Sequence, residues 1–272
     1  MNTSPPRDIA VDGPVRSGGI RWAVPSVVTV AVLVAVWQIY VTTSGVRPQV
    51  LPSPLRVLRQ GWAHRDEIGT HAAATLQVTL IGFAVSLTLA WTLAIIVDFS
   101  PWLRRAFVPL FVASQTVPIV AIAPLMIIWF GFGLLPKILV VSLVTFFPMA
   151  IGLIEGFAAA DREAGALLRS MGASRVQVFR YVRLPSAVPR FFTALRIGIT
   201  YAVVGAVFAE YVGASEGLGI YMSLQKNSFR TDLVLAAVLV TALLSIVLYL
   251  ATFVIERLIA PWALAENRGG RG

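Results

Sequence analysis

Few side chains in this chain are suited to chemistry. His64 and His71, the only histidines, stand seven residues apart, and there is no cysteine. Thiolate metal sites and disulfides are therefore excluded. The two histidines could share a metal ion, but solvated surface residues are the default reading, and no metal is expected. "GFGLLPK" (Gly131 to Lys137) has glycines ahead of a lysine. It lacks the spacing of a phosphate-binding loop, and no Ser or Thr follows the lysine, so the chain cannot hydrolyse ATP by itself. No Gly-x-Ser-x-Gly, His-Glu-x-x-His or paired intramembrane aspartates occur, which leaves a hydrolase without machinery. No catalytic residue is expected.

What remains are polar groups set in apolar surroundings. Ser114, Gln115 and Thr116 stand beside Pro118, with Pro124 as a further break, and Glu210 lies near the end of another apolar run. Proline frees backbone carbonyls, which is tolerated in lipid where a cavity or a neighbour satisfies them. Ser114, Gln115, Thr116 and Pro118 either line a path or make an ordinary helix contact. Glu210 either meets water at the membrane interface or faces that path. Gly198, Ala202 and Ala206, and also Gly205, Ala209 and Gly213, recur every four residues, so they let a helix come close, within the chain or between subunits.

A second concentration of signal is "DREAGALLRSMGASRVQVFRYVRLPSAVPRF" (Asp161 to Phe191), with six arginines and two acids between apolar runs. Asp161 is a candidate N-cap. Ala164, Leu167, Leu168 and Met171 follow at helical spacing. Gly172 is placed to end that helix in a left-handed conformation. Ser174 and Gln177 form a capping box that opens a second short helix, which Leu184-Pro185 is expected to stop. The segment is thus read as two short helices with an apolar stripe and a basic fringe. That stripe packs either on the protein's own helix ends or on another protein.

These features need elements to hold them. Hydrophobic residues make up 57% of the 272 and charged ones only 13%, and the bias runs along the whole chain. Soluble domains carry about 25% charge, so lipid is the expected solvent. Residues 1–21 read as a tail and 22–41 as a first transmembrane helix, near the ~20 residues that cross a bilayer. Residues 42–71 form an external segment in which Leu55, Leu58 and Trp62 mark a short amphipathic helix. Five further spans are expected at about 72–97, 106–130, 138–156, 191–212 and 233–255. Between Ala106 and Ile154 the only charge is Lys137; one helix there would be about 70 Å long, so "GFGLLPK" must fold the chain back. A loop (157–190) and a tail (257–272) complete the layout.

An even number of crossings puts both ends on one side. That side would hold fourteen Lys and Arg residues against seven on the other, which favours cytoplasmic termini and a cytoplasmic 157–190 loop. The net charge of +9 has the same origin, and no nucleic-acid partner is expected.

The run from Gly172 through nine residues to Val182-Arg183-Leu184-Pro185, with "MGASR" before and "LPSAVP" after, resembles the end of the "EAA" loop of permease subunits of ATP-binding-cassette importers. "LPSP" at 51–54 and the six-span layout look like the nitrate, sulfonate and taurine class. "RSMGAS" and "EYVGASEGLG" look similar to permeases for the thiamine pyrimidine precursor or riboflavin-like compounds. The likeness covers roughly residues 51–256. One departure stands out: where the family often has Glu-Ala-Ala, this chain has Ala166-Leu167-Leu168.

The resemblance implies an all-helical type I importer permease with six spans and a coupling helix between the fourth and fifth. Leu168, Arg169, Ser170, Met171, Gly172, Ala173 and Ser174 would contact a cytoplasmic ATPase dimer, which binds ATP and Mg. Ser114, Gln115, Thr116, Pro118 and Glu210 would line a path shared with a second copy, and an external binding protein would deliver a small polar solute. The rival reading is a secondary transporter or channel with no ATPase partner, which the uncharged second and sixth spans argue against.

Overall fold

The computed structural model describes residues 19–261; the predicted 1–18 and 262–272 parts of the tails lie outside them. Among these residues the chain is helical throughout, without a strand. The elements are α1 (Gly19–Thr43), α2 (Pro54–Ala63), α3 (Arg65–Phe99), α4 (Pro101–Ser114), α5 (Ile119–Phe130), α6 (Leu134–Ala158), α7 (Arg162–Ser170), α8 (Arg175–Val178), a π turn (Phe179–Arg183), α9 (Leu184–Gly213), α10 (Leu218–Asn227) and α11 (Thr231–Ile259).

Five helical stretches are long and apolar enough to cross a membrane: Val24–Thr43, α3, α6, the run Arg175–Gly213, and α11. A sixth crossing needs α4 and α5 together, and these meet at an angle of 99°. The expected single helix over 106–130 is therefore corrected to a broken pair. Val117 precedes a proline and is pushed out of helical geometry. Pro118 sits at the break in an extended conformation (φ −69°, ψ 124°), and Ser114–Val117 forms tight turns, with Val117 N–H donating to Ser114 O at 3.2 Å.

The packing centre is the α3–α6–α9 triplet, in which α6 lies against both partners along its length. Close approach needs small residues. A Cβ built on Gly156 of α6 would lie 2.9 Å from Ala187 Cα on α9, and Gly82 of α3 meets Val141 of α6 in the same way. The four-residue rows on α9 serve contacts within the chain. Ala202 and Ala206 are buried with Val78, Val141 and Ile199, and Ala209 with Ala123 and Val140. Aromatic rings fill the layer nearest α7: Trp91 meets Phe157 and Phe191, and Phe111 meets Phe146 edge-on.

The opposite end is closed by α2 and α10. The amphipathic helix forms over Pro54–Ala63, capped by Ser53 Oγ, which accepts from Arg56 N–H at 3.3 Å. Val57 is its buried anchor, while Leu58 and Trp62 point outward. Asp232, at the start of α11, accepts from Arg56 and Arg230 at 3.0 and 3.2 Å. The span predicted from residue 72 starts earlier, since α3 begins at Arg65.

Candidate functional site

The elbow of α7 and α8 is built by local chemistry. Asp161 Oδ1 accepts from the N–H groups of Glu163 (2.8 Å) and Ala164 (3.3 Å), capping α7. Gly172 leaves α7 at φ +89°. Its N–H donates to Arg169 O, and Ala173 N–H donates to Leu168 O, both at 3.0 Å. This pair of bonds is the Schellman ending that a left-handed glycine permits. Ser174 and Gln177 then exchange side-chain and backbone bonds at 2.7 and 3.3 Å, opening α8.

The predicted stripe divides. Leu167 and Met171 are exposed, with Met171 at 75%, whereas Ala164 and Leu168 are half-buried toward the bundle. Arg169, Ser170, Gly172 and Ser174 are exposed beside them, and Ala173 is half-buried. The elbow thus offers the exposed apolar side chains of Leu167, Met171 and, on α8, Val176 among arginines.

A second expectation is corrected here. The helix does not stop at Leu184-Pro185; it runs on without a break from α8 into α9. The ladder widens at Phe179–Arg183, where Leu184 N–H donates to Phe179 O five residues back. This wider turn makes room for Pro185, which has no N–H and would crowd an α-helical turn. Two contacts fix the turn to the bundle. Arg183 Nη1 lies 2.8 and 2.7 Å from the two carboxylate oxygens of Asp98 at the end of α3. The Phe179 ring lies between Phe99 and Phe157, with centroids 5.4 and 5.1 Å away. A polar pocket of about 150 Å³ beneath the elbow brings Arg104, Arg162, Arg169 and Arg183 together with Asp161. Sequence reasoning had no means of seeing that convergence.

A larger cavity, about 1000 Å³, lies between the α4–α5 break, α6 and α9. Ser114 and Gln115 are on its wall; Thr116 and Pro118 are not among the lining residues, although Pro118 shapes the break. Thr193 and Tyr201 of α9, Phe147 of α6 and Trp129 of α5 complete the wall that matters chemically, and Glu155 and Arg190 flank its elbow end.

Glu210 is elsewhere. It is fully buried at the far end of α9, accepting from Thr75 Oγ1 (2.9 Å) and Gly219 N–H (3.0 Å). Thr75 Oγ1 also accepts from Leu218 N–H, and His71 Nδ1 accepts from Gly217 N–H at 3.0 Å. The Tyr221 ring packs on His71, and burial pushes its hydroxyl up to about 12. Together these bonds fasten α10 to α3 and α9. His64 takes no part, its Nδ1 lying 3.0 Å from Gln60 O. Among the described residues no group of histidine and acidic side chains could hold a metal.

Residues 86–264 match the family described as "binding-protein-dependent transport system inner membrane component". The chain belongs to that family. Among similar proteins, the formylaminopyrimidine transport permease protein ThiX of Halalkalibacterium halodurans is 35% identical over 85% of this chain and 92% of its own. The riboflavin transport system permease protein RibX of Chloroflexus aurantiacus is 37% identical over 86% of this chain and 88% of its own. The fold resembles a chain in the inward-facing MetNI methionine ABC transporter, with a TM-score of 0.59 at 18% identity, covering 68% of this chain and 93% of that one. This permease is therefore a multi-pass membrane subunit of an ATP-binding-cassette importer for a small solute.

Proposed function

We propose that the elbow is the coupling helix through which a cytoplasmic ATPase dimer drives a two-fold pair of these permeases. The single observation that carries the reading is the elbow itself: capped at both ends of α7 and at the start of α8, exposing Leu167 and Met171, and continuous with a helix that forms a cavity wall. Leu168, Arg169, Ser170, Met171, Gly172, Ala173 and Ser174 supply the contact, and the ATPases bind the ATP and Mg. The termini and the elbow lie in the cytoplasm, where the excess of basic residues belongs. An external binding protein delivers a small polar solute of the nitrate, sulfonate and taurine class or of the pyrimidine-precursor and riboflavin type. Ser114 and Gln115 line its path, and Glu210 acts as the fastening of α10 to the bundle.

Rigid-body rocking about a central site needs a stiff contact. Gly172→Pro removes the N–H that bonds Arg169 and forbids the left-handed φ. The expected result is normal insertion, continued ATP hydrolysis and loss of uptake in proteoliposomes holding permease, ATPase and binding protein. Full uptake by that variant, or uptake by the permease alone without ATP, would reject the assignment.

A further inference from the structure

Resting on the importer reading, we propose that the cavity passes an uncharged, planar heteroaromatic solute and discriminates against sulfonates and nitrate. The argument lies in what the wall offers. Its hydrogen-bonding groups within the bundle are neutral: Ser114, Gln115, Thr193 and the Tyr201 hydroxyl. Its large apolar surfaces include aromatic ones, with Trp129 64% and Tyr201 51% exposed, so their rings are not used up by packing within the chain.

The wall has charge only at its elbow end, where Glu155 and Arg190 stand together with opposite sign, and Arg190 donates to the Glu155 backbone carbonyl at 3.3 Å. The other arginine of α9, Arg196, is not on the wall: it is paired with Glu256 and stacked 4.0 Å over Phe253. An anion entering this space would shed water and meet no cation along most of the wall, which is strongly unfavourable away from bulk solvent.

A neutral nitrogen heterocycle has the opposite balance. Its faces stack on Trp129 and Tyr201. Its ring nitrogens and amino groups present donors and acceptors at one edge, and the Gln115 amide carries both roles at once. The space, about 1000 Å³, admits a solute of one to three fused rings.

The test is uptake by proteoliposomes holding the permease, its ATPase and its binding protein. Four probes are offered singly: riboflavin, a neutral aminopyrimidine, ethanesulfonate and nitrate. ATP-driven import of at least one ring compound is expected, with neither anion imported above background. Trp129→Ala and Gln115→Ala are expected to slow that import about tenfold each, with ATP hydrolysis unchanged. ATP-driven import of ethanesulfonate or nitrate, or of no ring compound, would overturn the substrate class while leaving the importer reading intact. Import of any probe without ATP would instead remove the importer reading beneath it.

Discussion

Arg183→Ala is expected to detach the elbow from the bundle, lowering the unfolding midpoint and cutting ATP-driven uptake more steeply than ATP hydrolysis. The Asp98 side chain is only 6% exposed, and among the described residues Arg183 is its only hydrogen-bond partner. Removing the guanidinium leaves a nearly buried carboxylate without compensation. Breaking a buried pair from one side costs about 3–5 kcal/mol. Because the Arg183 side chain is 40% exposed, solvent screening brings the expected loss nearer about 2 kcal/mol. The double variant Asp98→Ala/Arg183→Ala removes the orphan as well and should recover most of the midpoint. It should not recover coupling, since the tie between α3 and the π turn is still missing. Thermal unfolding in detergent and the ratio of uptake to hydrolysis measure the two effects separately. A double variant as unstable as the single one, with an unchanged ratio, would show that the pair has no such role.

Gly156→Leu is expected to be more damaging still, because it attacks the α6–α9 contact where the nearest atom across it is backbone. A Cβ at this position would fall 2.9 Å from Ala187 Cα and 3.0 Å from its Cβ, and Ala187 is fully buried. Backbone cannot yield as a flexible side chain can. The two helices would have to part, opening the layer where Leu153, Phe157 and Phe192 pack. Overpacking a core costs about 1–3 kcal/mol when side chains can adjust, and more when they cannot. Little monodisperse protein should survive detergent extraction. Gly69→Leu is the control: it lies on an exposed face of α3 with nothing within 4 Å of a built Cβ, so yield should be unaffected. Comparable yields from the two variants would contradict the packing described.

What the sequence makes legible is what local chemistry determines. Asp161, Gly172, Ser174 and Gln177 act through neighbours a few residues away, and their caps form as their types and spacing predict. Ser114 and Gln115 could be singled out because polar side chains next to a proline in an apolar run are costly unless something uses them. The misses all depend on distant partners. Pro118 announces a break, but the 99° turn depends on how α5 settles against α6 and α9. Pro185 ordinarily marks a helix boundary. Here the helix continues through a widened turn that Asp98, Phe99 and Phe157 hold from other elements. Leu167 and Leu168 look equivalent until the bundle covers one of them. Glu210 reads as a pathway candidate because its partners Thr75 and Gly219 lie on α3 and α10, and α10 carries no strong periodic signal of its own.

The unbroken helical run from Arg175 to Gly213 also bears on timing. At 39 residues and about 1.5 Å each it is a rod of roughly 58 Å. One tip adjoins Ser174 and the other bears Glu210 and its bonds to α10. Under the proposed coupling, a tilt imposed at the elbow tip would pass through the π turn at Phe179–Arg183 before reaching the far tip.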